Sequence, residues 1–313
     1  MTQPSVLAIL GPTASGKTQL ALDLAQALPI EIISLDSALI YRDMNIGTAK
    51  PTAAEMALVP HHLIDIISPL DSYSAADFCR DALALIQEIT DRGKLPVIVG
   101  GTMMYYKALT EGLNDLPAAN ATIRASLQAD KAALGLAALY ERLLTVDPDT
   151  AARLKAGDSQ RIERALEIFM LTGKPMSQHF KEQAAHKPAL NLTTLALIPE
   201  TRSLLHAQIK QRFDSMMAQG FIDEVRALQT QYPGLHADLP SIRCVGYRQA
   251  WAYLAGEEDL ASMTEKSIVA TRQLAKRQLT WLRSLDYELA LDPYVETDLL
   301  TPTLALLARK NLA

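Results

Sequence analysis

The residues Gly11-Pro12-Thr13-Ala14-Ser15-Gly16-Lys17-Thr18 follow the pattern Gly-x-x-x-x-Gly-Lys-Thr of a phosphate-binding P-loop. The glycines let backbone N–H groups turn toward a phosphate, and Lys17 brings a point charge to its oxygens. The Thr18 hydroxyl is placed for a Mg2+ ion. Such a loop needs a strand before it and a helix after it. Residues 6–10 are an apolar run that reads as a buried strand. Residues 19–28 read as a helix with Leu20, Ala21, Leu24 and Leu28 on one face, whose N-terminus adds favourable partial positive charge. The pattern therefore implies a polyphosphate ligand, without saying which.

Two further groups with chemical potential stand at the ends of apolar runs. Asp36-Ser37 follows the run 30–35, and Gly100-Gly101-Thr102 closes the run 95–99. Enzymes that act on ATP or GTP through a P-loop hold Mg2+ with an acid at the end of a second strand. The run 95–99 ends without one, so ATP chemistry is not secured by the loop. Asp36 is open to three readings: a carboxylate facing an acceptor, a metal-side group, or a cap on the following turn. Thr102 after paired glycines is either a ligand-facing hydroxyl or a turn residue. Arg212, in Gln211-Arg212-Phe213, is a second cation for the phosphate or a solvated helix arginine.

The remaining signals concern a larger partner. Arg161 and Arg164 share a helix face, either as a basic contact or as an ion-pair face with Glu163 or Glu167. Residues 243–247 combine a cation, a glycine and Tyr247, whose ring could stack on a base for about 1–3 kcal/mol. Arg272, Lys276, Arg277 and Arg283 make the densest basic helix, with Arg272 and Lys276 one turn apart, as a phosphate-tracking stripe or a solvated face. His61-His62 is not a metal site, because neighbouring side chains on an extended segment point apart. Met103-Met104 belongs by default to core packing, with some methionines free to line an apolar pocket. Trp251 and Tyr253 are expected in the core.

Positioning these groups requires alternating strands and helices. Runs at 6–10, 30–35 and 95–99, with a helix over 73–92, predict an α/β fold with a parallel sheet flanked by helices, in which ligands sit at the carboxyl ends of the strands. The P-loop, Asp36-Ser37 and Gly101-Thr102 all fall at such ends and are expected in one crevice. Residues 123–172 are rich in Ala, Leu, Arg and Glu and are punctuated by Pro148, Gly157 and Gly173, which predicts several helices. The expected organisation is a P-loop NTPase-like core over 1–113 and 187–313 with an inserted all-helical domain over 114–186. The run 192–198 returns to the sheet, helices follow over 204–229 and 263–285, and the residues after 299 read as a frayed tail.

Composition fits a globular chain: 313 residues, 49% apolar and 21% charged. No apolar run reaches membrane-span length, and the early P-loop strand leaves no room for a signal peptide. Cys79 and Cys244 lie far apart, which argues against a disulfide scaffold or zinc site and fits a reducing cytoplasm. The net charge of −5 does not exclude RNA, since local clusters decide binding.

The ordered series of motifs adds a family. Gly11 to Thr18, Asp36-Ser37-Ala38-Leu39-Ile40-Tyr41, Gly47-Thr48-Ala49-Lys50-Pro51 and Pro60-His61-His62-Leu63-Ile64-Asp65 resemble the tRNA dimethylallyltransferases, also called tRNA isopentenyltransferases. The likeness continues through Val99-Gly100-Gly101-Thr102, Asp158 to Ala165, Gln211-Arg212-Phe213, Ile242 to Tyr247 and Thr271 to Gln278. The chain lacks the C-terminal zinc finger of eukaryotic members and is similar to the bacterial form.

The resemblance implies transfer of a dimethylallyl group from dimethylallyl diphosphate to N6 of the adenosine at position 37 of a tRNA, with Mg2+ and release of diphosphate. It implies Asp36 as base, Thr102 as donor to the bridging oxygen, and Gly11 to Thr18 with Arg212 on the diphosphate, Lys17 assisting departure and Thr18 on Mg2+. It implies tRNA contacts by Asp36, Ser37, Ala38, Leu39, Thr102, Arg124, Gln160, Arg161, Ile162, Glu163 and Arg164. Further tRNA contacts are implied for Ile242, Arg243, Cys244, Val245, Gly246, Tyr247, Arg272, Lys276, Arg277 and Gln278. The base would be extruded from the anticodon loop, the insertion would hold the anticodon arm, and the enzyme would act as a monomer. The rival readings are a small-molecule kinase on the same core and an RNA-binding module that senses nucleotide.

Overall fold

The computed structural model describes residues 3–112, 116–117, 119–182 and 188–312. By its internal contacts the chain forms two compact units, one of residues 1–108 and 189–313, the other of 109–188. The expected insertion boundaries at 113/114 and 186/187 lie outside the described residues.

The first unit opens with β1 (Ser5–Leu10), α1 (Lys17–Ala27), β2 (Ile30–Leu35), α2 (Ala53–Leu58) and β3 (His61–His62), then α3 (Ala75–Asp91), β4 (Leu95–Gly100) and α4 (Met103–Glu111), of which residues 109–111 belong to the second unit. The strands form one six-stranded sheet in the order β3-β2-β4-β1, then β5 (Asn191–Leu197) and β6 (Leu289–Leu291). All pairings are parallel. β1, β2 and β4 are buried almost throughout, which is why they read as unbroken apolar runs rather than alternating ones. Leu7, Ile9, Leu20, Leu24, Val97 and Leu195 are among the residues that fill the core between the sheet and α1.

The second unit is helical: α5 (Ala121–Val146), α6 (Pro148–Ala151), α7 (Ser159–Thr172) and α8 (Met176–Glu182). Leu127, Leu139, Leu143, Ile162, Ala165 and Leu166 build its core. Asn120, Asp147 and Asp158 accept backbone N–H bonds at helix starts, and Gly173 ends α7 at φ 69°. A break that the sequence reading does not anticipate lies inside α5 at Gly135, at φ 82°.

The C-terminal part of the first unit holds α9 (Arg202–Ala218), α10 (Phe221–Gln231), α11 (Tyr247–Leu254), α12 (Leu260–Leu282) and α13 (Leu300–Arg309). Two expectations need correction. The helix expected over 204–229 is two helices, divided at Gly220 with φ 92°. The expected frayed tail is α13, whose Leu306 and Leu307 are buried, Leu307 in the core that the strands share with α1. The strands β3 and β6 have only 2 and 3 residues, too short to carry a pattern. Trp251 and Tyr253 pack partly buried against the core.

Candidate active site

Register brings the chemistry together. Leu10 of β1 and Leu35 of β2 both pair with Gly100 of β4, so the three strands end side by side. The chain leaves them as Gly11 to Thr18, Asp36-Ser37 and Gly101-Thr102. Leu35 also accepts the N–H groups of Gly101 and Thr102 at 3.2 and 3.1 Å, tying the second and third loops.

The P-loop holds itself open by internal bonds. Ser15 Oγ donates to the Pro12 carbonyl at 2.9 Å, and Lys17 Nζ donates to the same oxygen at 2.6 Å. Ala14 and Gly16 take left-handed backbone, at φ 66° and 79°. For Ala14 this is strained, and Tyr294 secures it by donating its hydroxyl to the Ala14 carbonyl at 2.8 Å. The N–H groups of Lys17, Thr18 and Gln19, which open α1, have no intrahelical acceptor, which leaves them to an anion.

Ala14 to Thr18, Ala49 to Pro51, Glu55 and Arg212 line a polar cavity of about 210 Å3. Burial, then the Arg212 charge, push the Lys17 ammonium down to about 7, against an opposing pull from Asp36. Burial likewise lowers Arg212, which makes no hydrogen bond or ion pair among the described residues. Two cations thus share a desolvated recess without a paired carboxylate, a state that an entering anion relieves.

Asp36 divides its carboxylate. Oδ1 accepts from the amides of Ala38 and Leu39 at 2.8 and 3.3 Å, fixing the turn 36–39. Oδ2 has no partner among the described residues. The capping reading thus holds for Oδ1, and Oδ2 stays open to the chemical one. Thr102 Oγ accepts the Ser37 N–H at 3.1 Å and donates its own proton to Ser37 Oγ at 3.5 Å, a long bond that a better-placed acceptor can displace.

The chemistry of the donor set bears on the metal. Among the described residues no group of three or more His, Cys, Asp or Glu could hold an ion. Mg2+ commonly keeps waters and takes substrate phosphate oxygens with one or two protein donors. Thr18, exposed at the mouth of the cavity, fits that arrangement.

The family model for IPP transferase matches residues 39–285. The chain belongs to the IPP transferase family. A tRNA dimethylallyltransferase of Neisseria meningitidis is 61% identical over 294 residues, 94% of each chain. One from Aromatoleum aromaticum is 58% identical, over 96% of this chain and 93% of its own. The solved tRNA isopentenylpyrophosphate transferase of Bacillus halodurans has 37% identity and a TM-score of 0.70, covering 99% of this chain and 97% of its own. A eukaryotic dimethylallyltransferase acting on tRNA gives a TM-score of 0.82 at 26% identity, over 98% of this chain and 79% of its own.

As an IPP transferase the chain corrects several contacts expected from sequence. Tyr247 is fully buried, stacked edge-on against Phe221, and donates its hydroxyl to Glu224 at 2.6 Å. Its ring is core and cannot stack on a base. Ile242 and Gly246 are buried with it, and Cys244 is recessed, with burial raising its thiol to about 12. In this segment Arg243 is exposed and Val245 half-buried. Ile162 lies in the core of the helical unit and is not offered to RNA, while half-buried Glu163 bonds Lys131 and Ser159. Arg124 and Arg164 both pair with Glu167, 1% exposed, at 3.0 and 2.7 Å. Arg161 is exposed beside Asp158, and Gln160 is exposed. Lys276 and Arg277 are exposed on α12, while Arg272 is half-buried.

The histidines prove structural. His61 bonds the Val59 carbonyl and His62 bonds Glu31. Sequence reasoning missed Glu224, which accepts the amides of Asn45, Ile46 and Gly47 and so anchors the segment leading to Lys50. It also missed Tyr294, some 280 residues from its partner in the chain. No local pattern marks either residue. The unusual Gly47, where a Cβ would lie 2.3 Å from the Phe221 ring, was the available signal of close packing.

Proposed function

We infer that this IPP transferase is a tRNA dimethylallyltransferase that transfers the dimethylallyl group from dimethylallyl diphosphate to N6 of adenosine 37, next to the anticodon. The observation that carries the reading is the Lys17–Arg212 recess, free of ion pairs among the described residues, beside the unbonded Oδ2 of Asp36. A cavity of about 210 Å3 suits a diphosphate better than a nucleotide, since pockets that enclose drug-sized ligands run to about 300–1,000 Å3.

N6 attacks C1 of the prenyl chain. The N–C bond forms as the C–O bond breaks, and the electron pair of that bond leaves with the diphosphate. Asp36 Oδ2 orients the amine and takes its proton. Thr102 Oγ–H donates to the bridging oxygen as charge develops there. Lys17, Arg212 and the α1 amides receive the departing oxygens, the electrostatic contribution that tends to dominate such reactions. Mg2+, when bound, supplies further positive charge to the diphosphate, with Thr18 as its protein donor.

Ser37, Ala38 and Leu39 form the rim at which the extruded base enters. Arg161, Arg243, Lys276 and Arg277 are the exposed cations that support RNA binding, and the helical unit takes the anticodon arm. Arg124 and Arg164 act from their seat on Glu167.

The test is transfer of labelled dimethylallyl from its diphosphate to unmodified tRNA, with a tRNA carrying guanosine at position 37 as control. Label confined to the adenosine-37 substrate is expected. Label in neither, with phosphate released from ATP, contradicts the reading and favours the kinase.

A further inference from the structure

The active-site loops are joined by one side chain from a distant helix. Gln278 of α12 accepts the Thr13 N–H through Oε1 at 2.9 Å and donates through Nε2 to the Gly101 carbonyl at 3.0 Å. It bridges the P-loop to the loop of Thr102 across 265 and 177 residues of chain. The approach is close. A Cβ on Gly101 would stand 2.4 Å from Gln278 Nε2 and 2.9 Å from the Gly11 carbonyl. Glycine at this position is therefore required by the bridge as well as by the approach of the Gly11 carbonyl.

We propose that Gln278 is a positioning residue for prenyl transfer, whose amide sets the spacing between the diphosphate-binding loop and Thr102. The bridge removes the Thr13 N–H from the diphosphate cradle, leaving the anion to the amides that open α1. It also fixes where the Thr102 hydroxyl stands relative to the cavity, because Gly101 and Thr102 are consecutive. An amide serves this better than a carboxylate, since one end must accept and the other donate. The carboxylate of a glutamate would face the Gly101 carbonyl with no proton to give.

This role rests on the transfer reading above, and it differs from a contact with tRNA in what it moves. Gln278→Met keeps the length of the side chain and loses both bonds. Misplacement of a reacting group by about 1 Å can cost about 100-fold, so a fall of about 10- to 100-fold in the single-turnover transfer rate is expected at saturating substrates. The Kd for tRNA should stay unchanged. Combined with Thr102→Ala, the same substitution should cost little, because the group it positions is gone. Weaker binding of inorganic pyrophosphate to Gln278→Met, read by calorimetry on the protein alone, is the readout that does not depend on turnover.

Additive effects with Thr102→Ala, or weakened tRNA binding with an unchanged rate, would overturn the proposal. So would unchanged pyrophosphate affinity together with an unchanged rate. A fall in thermal midpoint with rate and both affinities reduced together would mark a merely structural role and overturn it too. If the wild-type protein transferred no label while its pyrophosphate affinity still depended on Gln278, the transfer reading would fail and the bridge would stand.

Discussion

At the scale of the residue, Asp36 shows how two readings of one side chain can be compatible. Its Oδ1 closes the turn 36–39 and its Oδ2 is left for chemistry. Asp36→Asn keeps a turn acceptor and removes the base. The single-turnover rate should fall by about 100- to 10,000-fold, with tRNA affinity largely retained; an unchanged rate would remove Asp36 from the role of base. Lys17 offers a second test. With its ammonium held at about 7 by burial and Arg212, the free protein carries a mostly neutral lysine at pH 8. A bound diphosphate favours the charged form, so binding should take up a proton at that pH. Calorimetry in two buffers of different ionisation enthalpy measures the uptake, and none would show that Lys17 does not meet the anion. Thr18, Lys17 and the loop glycines were legible because one short pattern encodes them. Tyr247 misled because a cation, a glycine and an aromatic look alike whether the ring faces solvent or core, and burial is set by Phe221 and Glu224 from another helix.

At the scale of the element, the strands were legible because burial on both faces makes them continuous apolar runs. Their convergence followed from parallel order, and the register through Gly100 supplies it physically. What was not legible was the long-range bracing of the loops by Gln278, Tyr294 and Glu224, since such hydrogen bonds leave no periodic trace. Gly101→Ala tests the tightness of that packing. Its added methyl group should destabilise the protein by about 1–3 kcal/mol and lower the transfer rate, as read by urea unfolding and single-turnover kinetics. On α12 the exposed Lys276 is the cleaner RNA probe, because it is not committed to an ion pair among the described residues. Lys276→Ala should weaken tRNA binding and reduce the slope of log K against log salt by about 1. An unmoved slope would take that helix face off the phosphates.

At the scale of the whole molecule, the sheet edge is held by a buried charge cluster that the sequence did not announce. Glu31, 3% exposed, meets His62, Arg92 and Lys94. Burial alone would raise its carboxyl, but hydrogen bonds from Arg92, His62 and Lys94 win and hold it at about 2. The folded value lies below the unfolded one, so the cluster stabilises fully above pH 4.5 and less as pH falls toward 2. The loss across that window should be about 3 kcal/mol. In urea titrations Glu31→Gln should therefore show a shallower decline between pH 5 and 2 than wild type; parallel curves would deny the cluster its role. Histidines that could have been taken for a metal site serve here as part of the frame.

The claim on which the rest depends is that the P-loop grips a leaving diphosphate. The direct measurement is the ratio of diphosphate released to dimethylallyl label fixed on tRNA, with no ATP present. One diphosphate for each label, found on N6 of adenosine 37 and lost together in Lys17→Met, is the expected result. Transfer that proceeds unchanged in Lys17→Met, or label that requires ATP, would contradict the account.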